Sequence, residues 1–142
     1  MKSTIFGILA IAAAIATLAA PLAAQSTRLT ATVPFEFMVG NKTMPAGDYR
    51  ISSASSEAAL IIAGGEKESS ALALTRPVGN EADHAGESVL VFHRYGDHYA
   101  LSQIWDDSMK VAREIPMSRT EREMAKTAPV EKVTILAYLA RR

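Results

Sequence analysis

The sequence predicts a mainly β protein: an antiparallel sandwich or small barrel of about seven to eight strands, with one short C-terminal surface helix, preceded by a cleaved signal peptide. Three observations lead there. Apolar residues recur at every second position in several stretches, which is the period of a half-buried strand. Clusters of Gly, Pro, Asn and Asp separate those stretches with no helical pattern between them, so neighbouring strands run antiparallel rather than as βαβ units. The clear helix-start signal lies near the C-terminus. A single open sheet would leave one face of these strands unprotected, and a sandwich or barrel removes that problem.

The chain begins with Lys2 and an almost unbroken apolar run from Ile5 to Ala20, ended by Pro21 and followed by Ala23, Ala24 and Ser26. A positive start, an apolar run and a small-residue exit, in that order, make a secretory signal peptide, expected to be cleaved after Ala24 or Ser26. The run is short and Ala-rich for a membrane span of about 20 residues, which favours removal over an uncleaved anchor. The organisation read from the sequence is therefore 1–24 signal peptide and 25–142 one β-domain, exported to the periplasm or the extracellular space.

The mature N-terminus carries the strongest strand pattern. Leu29, Ala31, Val33, Phe35, Phe37 and Val39 occupy successive odd positions, and Phe35 and Phe37 are expected in the core on one sheet face. Pro34 cannot donate to a ladder, so two strand segments should meet there at a kink. Gly40-Asn41-Lys42 and Met44-Pro45-Ala46-Gly47-Asp48 read as turns. Tyr49–Ser52, Ala59–Ala63 and Ser70–Thr75 are the next strands, with Gly64-Gly65 closing the second of them. Arg76–Glu87 is the longest irregular stretch and is expected to be a mobile loop. A hairpin follows, Ser88–Tyr95 and Tyr99–Trp105, joined by a three-residue loop Gly96-Asp97-His98.

Asp106-Asp107-Ser108 ends the hairpin, and Met109–Pro116 reads as extended and irregular. Ser118 and Glu121 then match a capping box, starting a charged helix that runs to about Lys126 and stops before Pro129. Its apolar seam is thin, Met117 and Met124, so it should lie on the surface. Val130–Ala140 closes the chain as a strand, with helix as the alternative. Val133, Ile135, Ala137 and Leu139 form one face, and Leu136 and Tyr138 lie on the other.

Composition excludes several functions. There is no cysteine, hence no disulfide framework, no thiolate nucleophile or metal site, and no lipid anchor on an N-terminal Cys. Fifteen basic and fifteen acidic side chains balance, so no nucleic-acid partner is expected, since that would need a concentrated basic face. An envelope or extracellular partner of unknown identity is expected, with no stable membrane anchor after cleavage. His84, His93 and His98 lack the His-x-His or His-Glu-x-x-His spacing of a metal site. Asp106 and Asp107 are adjacent and point opposite ways in an extended chain, and Gly64-Gly65-Glu66-Lys67 lacks the rest of a phosphate loop. No Gly-x-Ser-x-Gly elbow occurs. No catalytic, cofactor-binding or metal-binding residue is therefore assigned.

The aromatic hairpin is the candidate binding surface: Arg94, Tyr95, His98, Tyr99 and Trp105. Tyr and Trp carry a polar tip on a large apolar body and are common at binding surfaces, although they also make ordinary cross-strand pairs. With a three-residue loop, Arg94, Tyr95, His98 and Tyr99 would cluster at the turn, and the odd spacing would place Tyr99 and Trp105 on one face with Leu101.

Three segments carry a resemblance: Val33-Pro34-Phe35-Glu36-Phe37-Met38-Val39-Gly40 with Pro45-Ala46-Gly47-Asp48-Tyr49; Leu90-Val91-Phe92-His93-Arg94-Tyr95-Gly96-Asp97; and Arg113-Glu114-Ile115-Pro116 before the Ser-led helix. Together they resemble a family of small exported proteins of acidobacteria and related soil bacteria that has no assigned activity. The resemblance implies an exported β-domain and no particular chemistry. The expected function is thus a non-enzymatic binding or structural module of the periplasm or cell envelope. The alternatives are a carrier enclosing a small apolar ligand in a barrel cavity, and a hydrolase of unknown class.

Overall fold

The structure is a computed structural model, and it describes residues 28–54, 56, 58–65, 69–79, 84 and 86–140. The signal-peptide expectation falls on residues outside these. Among the described residues, eleven strands and one helix follow in order: β1 (Arg28–Val33), β2 (Phe37–Val39), β3 (Lys42–Met44), β4 (Gly47–Ser53), β5 (Ala59–Gly64), β6 (Ser70–Leu74), β7 (Arg76–Val78), β8 (Ser88–Tyr95), β9 (His98–Asp106), β10 (Val111–Glu114), α1 (Arg119–Thr127) and β11 (Glu131–Leu139). The fold is mainly β, and the strand count exceeds the expected seven or eight because three short strands were hidden in stretches that read as irregular. β3 takes Lys42 from the first expected turn and Met44 from the second, β7 lies inside the expected loop, and β10 lies inside Met109–Pro116. β7 and β10 pair with each other, locked across the ladder by a 2.6 Å Arg76–Glu114 ion pair. Strands of three or four residues carry too little periodicity to be told from turns by pattern alone.

The sheet runs β3-β2-β9-β8-β11-β1-β4-β5-β6, with β10 joining the far part of β9. It curls until β6 approaches β2 and β3, where the Lys42 ammonium donates to the Ser70 carbonyl across the seam. The result is a nearly closed barrel. Pro34 sits at the break between β1 and β2, so the chain leaves the β4 side of the barrel and crosses to the β9 side at the residue that cannot donate. The C-terminal segment is a strand, since β11 pairs with β8 from Glu131 to Ala137.

The barrel interior is filled with side chains. Phe37, Phe92, Met44, Ile62, Leu90 and Val33 are almost completely buried. Phe37 packs edge-on against both Tyr49 and Phe92, at ring separations of 5.1 and 5.3 Å. Such pairs add about 0.5–1.5 kcal/mol each beyond the area they bury. A second, smaller core lies on the outer face of β8 and β9, where Val89, Val91, Trp105 and Ala112 pack with Val78.

The hairpin departs from expectation in two ways. Its loop is two residues, Gly96-Asp97, because His98 already pairs with Tyr95. Gly96 sits at the first central position with φ 61°, which a hairpin turn of the II′ kind requires and a Cβ would disfavour. A bulge between Val91 and Phe92 also lets Gln103 face Val91 while Leu101 faces Phe92, leaving Ser102 as the extra residue. The extra residue inverts the inside–outside parity of β9. Tyr99 and Leu101 therefore point into the main core, while Trp105 points outward to the second core.

Candidate functional site

The expected hairpin surface is divided by this geometry. Tyr95 pairs with His98, and Arg94 with Tyr99, so the two pairs lie on opposite faces. On the inner face, Tyr99 stacks on Phe35 with ring centroids 3.8 Å apart, and the Arg94 guanidinium lies 5.6 Å from the Tyr99 ring centre. Arg94 also donates to the Gly96 carbonyl at 2.8 Å and approaches Glu131 at 3.8 Å. This column of Phe35, Tyr99 and Arg94 caps one end of the barrel. His98 is exposed, whereas Tyr95 and Trp105 are buried and offer no open surface.

Tyr95 belongs instead to a polar cluster beneath α1. The helix starts as its sequence demands: Ser118 is the N-cap, and its Oγ accepts the Glu121 N–H at 3.1 Å. The Glu121 side chain turns into the sheet. One of its oxygens, Oε1, accepts the Tyr95 hydroxyl at 2.9 Å and faces His93 Nδ1 at 3.1 Å. A carboxylate oxygen only accepts, so His93 carries its proton on Nδ1 in this contact. Glu121 is the buried residue of α1, and the helix is thus fastened by a carboxylate rather than by an apolar seam. Burial first, and then the neighbouring Glu121 carboxylate, push the Tyr95 hydroxyl up to about 12. It is a neutral donor, and the arrangement works as a clasp rather than as an activated nucleophile. Among the described residues no group of three or more His, Asp and Glu side chains is placed to hold a metal ion.

A trough with a volume of about 880 Å³ runs across the outer face of β11, β1, β4 and the end of β5. Thr30, Thr32, Ala63 and Gly65 are among its small lining residues, Thr134, Leu136 and Tyr138 stand on the β11 side, and Asp48 and Arg50 on the β4 side. Gly64 lies opposite Tyr49, and a Cβ there would crowd the Ser69 side chain at 3.0 Å and the Tyr49 ring at 3.4 Å. Thr32 Oγ1 donates to Asp48 at 2.5 Å, and Thr30 Oγ1 to the Tyr138 carbonyl at 3.3 Å. Arg50 is exposed and pairs with no carboxylate among the described residues. The sequence reading missed this site because its residues come from three distant segments. The one visible signal was the pair Leu136 and Tyr138 on the polar side of an otherwise alternating strand.

Compared with protein families, with curated proteins and with solved structures, the chain finds no match. The site is therefore read from its own chemistry. Among the described residues no helix is long and apolar enough to cross a membrane.

Proposed function

We propose that the protein is an exported, non-enzymatic binding module of the periplasm or extracellular space, and that the trough across β11, β1 and β4 is its binding site. The observation that carries this is a concave surface of about 880 Å³ bearing an exposed tyrosine, an exposed guanidinium and several threonines. Ligand sites are typically concavities of about 300–1,000 Å³ with a few placed polar groups on an apolar lining. The barrel interior is occupied by Phe35, Phe37, Tyr49, Phe92 and Leu101, which favours a surface site over a carrier cavity. Export is supported by the positive, apolar and small-residue order of the first 24 residues.

Two measurements test the reading. N-terminal sequencing of the protein recovered from the periplasm or medium is expected to begin at Gln25 or Thr27, and an intact Met1 in the membrane fraction contradicts export. Titration of the ¹⁵N-labelled protein with peptidoglycan fragments and with short peptides is expected to move amide signals of Thr30, Thr32, Arg50, Thr134 and Tyr138. Shifts confined to Arg94–Tyr99 would place the site at the hairpin turn instead.

A further inference from the structure

The wall of the barrel is interrupted inside the trough. β1 lies against β4 along its full length, from Arg28 to Val33, yet meets β11 only at Leu29 and Thr30. β11 lies against β8 from Glu131 to Ala137 and meets β1 only at Tyr138 and Leu139. Ala31–Val33 on one bank and Thr134–Ala137 on the other thus have a strand on one side only, among the described residues.

Among the described residues, the register shows which backbone groups face the interruption without a partner strand. The Tyr138 carbonyl accepts from the Thr30 side chain, so the backbone groups of Tyr138 face β1. Along an antiparallel strand the N–H and C=O of alternate residues point to the same side, which turns those of Leu136 and Thr134 toward the gap. Thr30 lies opposite Tyr138, and the same alternation turns the backbone groups of Thr32 toward the gap from the other bank. β11 occupies the middle of the sheet order, yet Leu136 and Tyr138 on its outer face are 45% and 63% exposed. A strand edge that presents unpaired N–H and C=O groups is a template for another extended chain.

We propose that the trough binds an extended polypeptide as an added strand, which continues the ladder along the Thr134–Ala137 and Ala31–Val33 edges. Its apolar side chains rest on Leu136 and Tyr138, and an acidic group meets the Arg50 guanidinium. The inference rests on the trough being the binding site. A polypeptide fits better than a glycan because the gap offers donors and acceptors in the order of a ladder, and only a backbone repeats that order. The exposed Arg50 guanidinium, which pairs with no carboxylate among the described residues, selects for an acidic group in the incoming chain.

The test uses three probes on the ¹⁵N-labelled protein: a synthetic octapeptide of alternating valine and threonine ending in glutamate, the same octapeptide N-methylated at every second amide, and chitotriose. The first peptide is expected to shift Thr32, Thr134 and Leu136 and to slow exchange of their amide protons. Methylation, which removes ladder donors and leaves the side chains, is expected to weaken binding at least tenfold, or about 1.4 kcal/mol. Arg50→Gln is expected to weaken the glutamate peptide several-fold and to leave a version with glutamine and an amidated C-terminus unchanged. Equal binding of the methylated and unmethylated peptides overturns the added-strand proposal. Trough shifts with chitotriose alone also overturn it while leaving the trough as the binding site. If no probe moves a trough residue, the binding-site reading falls with it.

Discussion

The Tyr95 hydroxyl donates a 2.9 Å hydrogen bond to Glu121, joining the end of β8 to the first turn of α1 across 26 residues of sequence. His93, two residues earlier on the same face of β8, reaches the same carboxylate oxygen. The helix therefore docks through one buried acid that serves two donors. Its other side chains are half-buried at most, so little apolar burial backs the clasp.

Removing the acid should detach the helix. In Glu121→Ala the Tyr95 hydroxyl and the His93 N–H lose their acceptor, and a buried unsatisfied donor costs about 1–3 kcal/mol. A nine-residue helix is marginal once undocked. Urea denaturation is expected to show a loss of about 2–3 kcal/mol, with reduced helical circular dichroism in the native baseline. A loss under about 0.5 kcal/mol would mean that other contacts hold the helix.

The same hydroxyl gives the fold an alkaline limit. An unfolded tyrosine releases its proton near pH 10, whereas Tyr95 in the fold holds its proton up to about 12. Above pH 10 the unfolded chain binds fewer protons than the folded one, so stability falls as pH rises. The contribution is fully present below pH 10 and is lost between about 10 and 12, amounting to roughly 3 kcal/mol. Tyr95→Phe is expected to lower stability at pH 7 and to flatten this part of the profile. An unchanged slope in Tyr95→Phe would assign it to another group.

Much of this architecture was legible because it depends on local pattern. The alternation from Leu29 to Val39, the kink at Pro34, the Ser118–Glu121 helix start and the strand character of Val133–Leu139 each follow from a short-range rule, and each is present. What failed was parity. One extra residue at Ser102 turned Trp105 from the face of Tyr99 to the opposite one, and periodicity cannot register a bulge that lacks a Gly or Pro marker. The candidate surface suffered in the same way: a two-residue turn sent Tyr95 and Tyr99 to opposite faces and buried Tyr95. The Glu121 clasp and the trough were out of reach because each joins segments that only the tertiary fold brings together.

Phe37 tests whether the interior is one cooperative unit. It is 1% exposed and touches the rings of Tyr49 from β4 and Phe92 from β8, so it bridges the two sides of the barrel. Phe37→Ala leaves a cavity among rings that cannot easily collapse, at a cost of about 3–5 kcal/mol. Chemical denaturation measures it. A cost below about 1 kcal/mol would mean that the two sides do not pack through this ring.

Trp105 separates size from polarity in the outer core. Its ring packs with Val89, Val91 and Ala112, and its indole N–H is buried with no hydrogen-bond partner among the described residues. Trp105→Ala removes the largest side chain of that cluster and is expected to cost about 3–5 kcal/mol, loosening the neighbouring β10, whose Ala112 pairs with Trp105 across the ladder. Trp105→Phe sheds part of the volume but also the unpaired donor, whose burial costs about 1–3 kcal/mol. The two effects oppose each other, so Trp105→Phe is expected to lie within about 1 kcal/mol of the parent. Comparing the two variants by urea denaturation decides between the terms. If Trp105→Phe costs as much as Trp105→Ala, the shape of the indole outweighs its unpaired N–H, and the outer core depends on close packing around this one ring.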